Sequence, residues 1–165
     1  MSGQRSSGAI LQVEGLHTHM GDQWLHRGLN FSIGRGEVVA LIGGSGTGKS
    51  VLLRHCIGLT RPSQGSVKLF GENICTLPPE QLNKVRSRYG VLFQEGALFS
   101  SLTVAENVAA PLNEHANLPP RLRNELVAMK IRLAGLPMDA AGKRPSELSG
   151  GMKKRAALAR ALALE

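Results

Sequence analysis

The sequence predicts an α/β protein built around a phosphate-binding loop, and three observations predict it. Glu37-Val38-Val39-Ala40-Leu41-Ile42 is short, apolar and β-branched, the composition of a strand buried on both faces. Gly43 to Ser50, GGSGTGKS, then matches G-x-x-x-x-G-K-[ST] at every fixed position. Beyond it Leu52 with Cys56 and Leu53 with Ile57 stand at helical i, i+4 spacing, and Gly58 sits where a helix-ending glycine belongs.

The loop's residue types follow from its chemistry. Polyphosphate is bound by a ring of backbone N–H groups, so the chain must wrap tightly, and Gly44, Gly46 and Gly48 permit positive φ and close backbone approach. The candidate phosphate ligands are Gly43, Gly44, Ser45, Gly46, Thr47, Gly48, Lys49 and Ser50. Lys49 reaches the β and γ phosphates as a point charge and is a candidate catalytic residue. Ser50 opens the helix, so its hydroxyl is a candidate Mg²⁺ ligand while the helix N-terminus adds partial positive charge. The alternative is a glycine-rich turn without a ligand, which the flanking strand and helix patterns argue against.

Composition bounds the rest. At 165 residues the chain has room for one domain with a proper core. The longest apolar run, Val38 to Ile42, is far short of the ~18 residues of a membrane span, and Met1 to Gly8 has no apolar core of a signal peptide. A cytoplasmic protein is expected. Cys56 and Cys75 lack C-x-x-C spacing, which argues for two reduced cysteines, Cys56 in the core. The net charge of +8 raises a nucleic-acid partner, but the basic runs are short and separate and aromatics are only 4%, so no direct nucleic-acid binding is expected. Anionic lipid headgroups nearby would account for the charge equally well.

In chain order, residues 1–8 read as a disordered polar leader and Ala9 to Val13 as the first strand. Leu29 to Ile33 alternates as a half-buried antiparallel strand, closed by a Gly34-Arg35-Gly36 turn. Ser66 to Phe70 is a strand followed by a turn at Gly71 to Asn73. Pro78 and Pro79 start a helix carrying Leu82 and Val85 on one face. Tyr89 to Phe93 is a second buried strand, ending at Gln94.

From Gly96 the pattern becomes helical. Thr103 and Glu106 form a capping box whose helix is expected to close at Pro111. Pro119 to Ala134 carries Leu122, Leu126, Met129 and Leu133 on one apolar stripe, expected to be core, and ends at Gly135 and Pro137. Ser149 is a good N-cap for the alanine-rich helix after it, although Gly150 and Gly151 weaken the first turn. Glycines there leave N–H groups bare, so Ser149, Gly150 and Gly151 make a second possible phosphate site.

The loop at 43–50, Gln94 at a strand end and Leu148-Ser149-Gly150-Gly151 together resemble the ATP-binding cassette family of transporter ATPases over residues 9–165. The resemblance implies a RecA-like P-loop NTPase core with an antiparallel β subdomain at 9–95, an inserted α-helical subdomain at 96–149, and a signature helix at 150–165. It implies ATP and Mg²⁺ as cofactors. Gly43 to Ser50 would be Walker A, and Gln94 the Q-loop glutamine that touches Mg²⁺ and the attacking water and couples to the membrane partner, hence a catalytic and metal candidate. Ser149 to Gly151 would be the signature contacting the γ-phosphate held by a second, head-to-tail ATPase subunit.

Val91 to Phe99 and Pro111 to Pro119 look most like ATPase subunits of the Mla, or toluene-tolerance, phospholipid transport systems. The implied place is the cytoplasmic face of the inner membrane, beside an integral permease docked at an apolar groove around Leu98 and Phe99. The alternatives are an ATPase for import of amino acids or another solute, a soluble cassette protein of DNA repair or translation, and a nucleotide-binding module without catalysis.

Two departures from the family pattern stand out. The aromatic residue that stacks on adenine falls near Thr18, between His17 and His19, and packing is the expected role of nearby Trp24. The Walker B strand, with its aspartate and catalytic glutamate, would begin after Glu165, so the chain as given is expected to be a truncated cassette that does not turn over ATP alone.

Overall fold

The computed structural model describes residues 8–94 and 96–164. Apart from Gly8, the expected leader lies outside the described residues, as does Glu95. Contacts divide the chain into two compact units, Met1–Val85 and Arg86–Glu165.

The first unit contains strands β1 (Ala9–Met20), β2 (Gln23–Gly34), β3 (Gln64–Leu69) and β4 (Glu72–Asn73), with helices α1 (Lys49–Cys56) and α2 (Pro79–Arg86). The strands form an antiparallel sheet in the order β2-β1-β3-β4. Val13 lies opposite Phe31 on β2 and Val67 on β3, so β1 is the central strand of the fold's apolar face. Leu11, Val13, Leu16, Val67 and Leu69 are buried there, and α1 buries Leu52 and Cys56.

Both long strands outrun the alternation that announced them. The β1 register shifts between Val13 and Leu16 and again at Thr18, and Gly15 takes φ +55 at the first shift. Such irregularities break period-two patterning without ending the strand.

The expected strand at 37–42 is not formed. Among the described residues no segment pairs with it, and an extended stretch without a neighbour has no ladder to make it a strand. Its apolar side chains stand in solvent, with Val38 100% and Ile42 90% exposed. The expected strand at 89–93 is likewise irregular, with Leu92 and Phe93 exposed.

The second unit is a three-helix packing of α3 (Val104–His115), α4 (Pro120–Leu133) and α5 (Gly150–Ala161), with 3-10 turns at Met138–Ala140 and Pro145–Glu147. The Thr103–Glu106 capping box is present. Pro111 does not end its helix, which runs on to His115. One missing N–H removes a single i→i−4 bond, and burial of Val108 and Leu112 on either side outweighs it.

The stripe on α4 is also corrected. Of the expected stripe Leu126 packs, partly buried, against the core beside Val127 and Ile131, whereas Leu122, Met129 and Leu133 are exposed. The helix has two apolar stripes, and the inner one matches the face that α3 and α5 cover. Ala156, Ala157 and Ala159 of α5 are buried, small residues that let the helices approach closely.

Asn107, fully buried on α3, has its amide occupied. Its Oδ1 accepts from Phe99 N at 2.8 Å, and its Nδ2 donates to the carbonyls of Phe99, Leu102 and Thr103 at 3.1, 3.1 and 2.9 Å. The segment entering the helical unit is thereby fixed.

Candidate phosphate-binding site

Residues 43–50 form the expected loop and helix start. Gly48, with φ 89 and ψ 5, is a left-handed N-cap that brings no capping side chain, so the first N–H groups of α1 stay open to a ligand. The helix is set by Leu52 N donating to Gly48 O at 2.8 Å. A Cβ on Gly48 would lie 2.6 Å from His26 Nε2 and 2.7 Å from Leu25 Cγ, so both conformation and space demand glycine.

Lys49 Nζ donates to Gly43 O at 2.7 Å and to Gly44 O, with Thr47 Oγ1 at 3.4 Å. Thr47 Oγ1 itself donates to Gly44 O at 2.9 Å. Among the described residues no carboxylate pairs with the ammonium, so its charge is uncompensated at the loop. Ser50, next on the helix, is exposed.

Beside the loop is a cavity of about 350 Å³ lined by Ser45 to Val51 on one side and by Met20 and Leu25 of the β1–β2 hairpin on the other. A wall of N–H groups and an ammonium opposite an apolar wall suits an anion attached to a flat apolar group. Sequence reasoning missed Met20 and Leu25. They flank the hairpin turn, and only the strand pairing brings them to the loop.

Thr18 does not face a ligand. It is buried, His26 Nδ1 lies 2.9 Å and His55 Nε2 3.0 Å from its Oγ1, and His55 Nδ1 is 3.1 Å from Thr60 O and 3.0 Å from Thr60 Oγ1. Burial, and then the neighbouring His55, hold His26 below the usual histidine pKa, with the Gly48 backbone acting in the opposite sense. Trp24 packs edge-on against His17 and His19, with ring centroids 5.6 and 4.8 Å apart.

The other candidates lie in the second unit. Gln94 is exposed on a turn. After it, Gly96 and Ala97 take φ 75 and 48, and Arg160 of α5 donates to their carbonyls, to Ala97 O at 2.8 Å and Gly96 O at 3.1 Å. The same guanidinium lies 5.5 Å over the Phe99 ring, and burial lowers its pKa. A cavity of about 420 Å³ here is lined by Phe93, Phe99, Pro111, His115, Arg160 and Leu164, among others. Leu98 packs instead against the helical core.

Ser149 caps α5, its Oγ accepting from Met152 N at 3.3 Å. A Cβ on Gly150 or Gly151 would meet nothing within 4 Å, so packing in this chain requires neither glycine. Ser149 to Gly151 and the anchor of the Gln94 loop thus occupy opposite ends of α5, about 15 Å apart at the usual rise per residue. Residues 43–50 come together as one loop, while Gln94 and Ser149 to Gly151 belong to the other unit. Among the described residues no cluster of three His, Cys, Asp or Glu side chains could hold a metal, and no helix is long and apolar enough to cross a membrane.

A family model described as ABC transporter matches residues 26–165. The chain is 44% identical over 156 residues to the intermembrane phospholipid transport system ATP-binding protein MlaF of Haemophilus influenzae, covering 94% of this chain and 59% of that protein. It is 42% identical to the probable ribonucleotide transport ATP-binding protein mkl of Mycobacterium leprae, covering 99% of this chain and 47% of that one. Among solved structures it is similar to the dimeric ATP-binding cassette MJ0796 in a post-hydrolysis state bound to ADP and Pi. The TM-score is 0.85 at 31% identity, over 93% of this chain and 69% of that one. The chain therefore spans about half to three fifths of the length of the curated relatives it matches.

Proposed function

The chain belongs to the ABC transporter family, and from that premise we propose that it is the ATP-binding, energy-coupling part of a transporter moving phospholipid at the inner membrane. The observation that carries the nucleotide reading is Lys49: an ammonium held, among the described residues, only by neutral oxygens, beside open helix N–H groups and an apolar wall. ATP would place its phosphates on residues 43–50 and its base against Met20 and Leu25, the two apolar residues that take the place of an aromatic stacking partner.

The donor set also fits Mg²⁺. Magnesium keeps several waters and takes few protein ligands beside substrate phosphates, so the exposed Ser50 hydroxyl is an adequate share from the loop, with Gln94 the further ligand that the family likeness supports. Bound there, the ion would neutralise charge on the β and γ phosphates. Lys49 adds a second positive charge, and Gln94 would orient water and report the site's state to a membrane partner.

Glycines 150 and 151, open on this chain's own surface, support contact with the nucleotide of a second cassette arranged head to tail. The Phe93 and Phe99 cavity supports docking of a permease segment at the cytoplasmic face. Phospholipid as cargo rests on the likeness to MlaF. Titrating a fluorescent ATP analogue into wild-type and Lys49→Ala chains tests the central point. Equal affinities would overturn the loop's assignment.

A further inference from the structure

The buried chain His26–Thr18–His55 lies under the phosphate loop, and the nucleotide reading gives it no role. Its hydrogen-bond logic is restrictive. A hydroxyl has one hydrogen, so Thr18 donates to one imidazole and accepts from the other. His55 Nδ1 faces both the Thr60 carbonyl at 3.1 Å and the Thr60 hydroxyl at 3.0 Å, so the chain can run in either direction through Thr18. In one direction Thr18 accepts from His26 Nδ1–H, and in the other it donates to that nitrogen, 2.9 Å away. In both a neutral His26 keeps one ring nitrogen without a proton, and its Nε2 is packed against Gly48 at the first turn of α1.

Resting on the nucleotide reading, we propose that His26, held by Thr18 and His55, takes up a proton when a polyphosphate occupies the loop, so that nucleotide binding is proton-linked. The surroundings set the sign. From α1 the titratable group facing His26 is His55, and the Lys49 ammonium is turned onto the Gly43 and Gly44 carbonyls; from β1 it meets the uncharged Thr18, and at the loop Gly48. Without a ligand, burial and then the neighbouring His55 disfavour the charged ring. Phosphates at the loop favour the charged ring, in the same sense as the Gly48 backbone already acts.

Isothermal titration of the full chain with ADP in magnesium buffer near pH ~6, repeated in buffers of different ionisation enthalpy, counts the protons exchanged. His26→Gln keeps a donor and an acceptor beside Thr18 but has no titrating nitrogen, and comparison with it cancels the nucleotide's own protonation. The wild type is expected to take up roughly half a proton more, and its affinity relative to the variant to rise about threefold between pH ~7.5 and ~6. Thr18→Val provides the same comparison should the glutamine variant not fold, and Thr18→Ser should restore the wild-type count. Equal counts in all four chains with binding intact overturn the inference alone. Absence of any ADP binding by the wild type overturns the nucleotide reading, and this inference with it.

Discussion

Arg160 donates to the carbonyl of Ala97 at 2.8 Å, tying the loop that follows Gln94 to the last turns of α5. A charged donor contributes more than a neutral hydrogen bond, and a second, part-buried bond to Gly96 O shares the same guanidinium. Arg160→Ala should therefore lower stability by about 2 kcal/mol, read from the denaturant midpoint, and Arg160→Lys should recover only part because a single ammonium cannot span both oxygens.

On the proposed function, Lys49→Ala should remove a charge-assisted contact to the β and γ phosphates worth roughly 1.5 to 3 kcal/mol, or tenfold and more in affinity. The folded chain should tolerate the change, since the ammonium bonds only exposed loop oxygens. Circular dichroism with nucleotide titration separates the two effects.

Gly48→Ala should behave differently. A methyl at that position falls on His26 and Leu25 and forces φ 89 on a residue that disfavours it, so stability and nucleotide affinity should fall together, the former by about 1–3 kcal/mol. Normal melting behaviour in this variant would contradict the packing described for the loop.

Ser149→Arg tests whether the signature acts across an interface. Losing the cap should cost about 1 kcal/mol of α5 stability while leaving nucleotide affinity of the single chain within about twofold. Nucleotide-dependent pairing of two cassettes, followed by light scattering, should disappear. Parallel loss of binding and pairing would place the residue in the chain's own nucleotide site instead.

Burial raises the Cys56 thiol from 9.0 to about 11. The folded state thus favours the neutral thiol, and this stabilising contribution is present below pH 9 and lost as pH rises through about 11. At pH 8 a thiol reagent should modify half-buried Cys75 quickly and Cys56 only on unfolding. Equal rates would mean that α1 opens more readily than its packing implies.

What was legible in the sequence was what local chemistry decides. Gly43 to Ser50 and the Thr103–Glu106 box declare themselves because their partners lie within a few residues. Strands at 37–42 and 89–93 were misjudged because a strand is a property of a pair, and apolar composition says nothing about whether a neighbour is present. On α4 two apolar stripes compete, and only the positions of α3 and α5 choose Val127 and Ile131 over Leu122 and Met129. Met20 and Leu25 reach the loop through a register with several shifts, and Arg160 is one basic residue among many until α5 is placed.

The phosphate loop is held unequally at its two ends. On the α1 side the amide of Leu52 is bonded to Gly48, whereas residues 38–42 enter no ladder. In deuterated water the two sides should therefore run on different clocks, amides before the loop exchanging nearly as fast as in an open chain and those of α1 orders of magnitude more slowly. A ligand drawing the Gly43 and Gly44 amides inward would slow the fast side first, so isotope uptake there would register occupancy before any change in helix content.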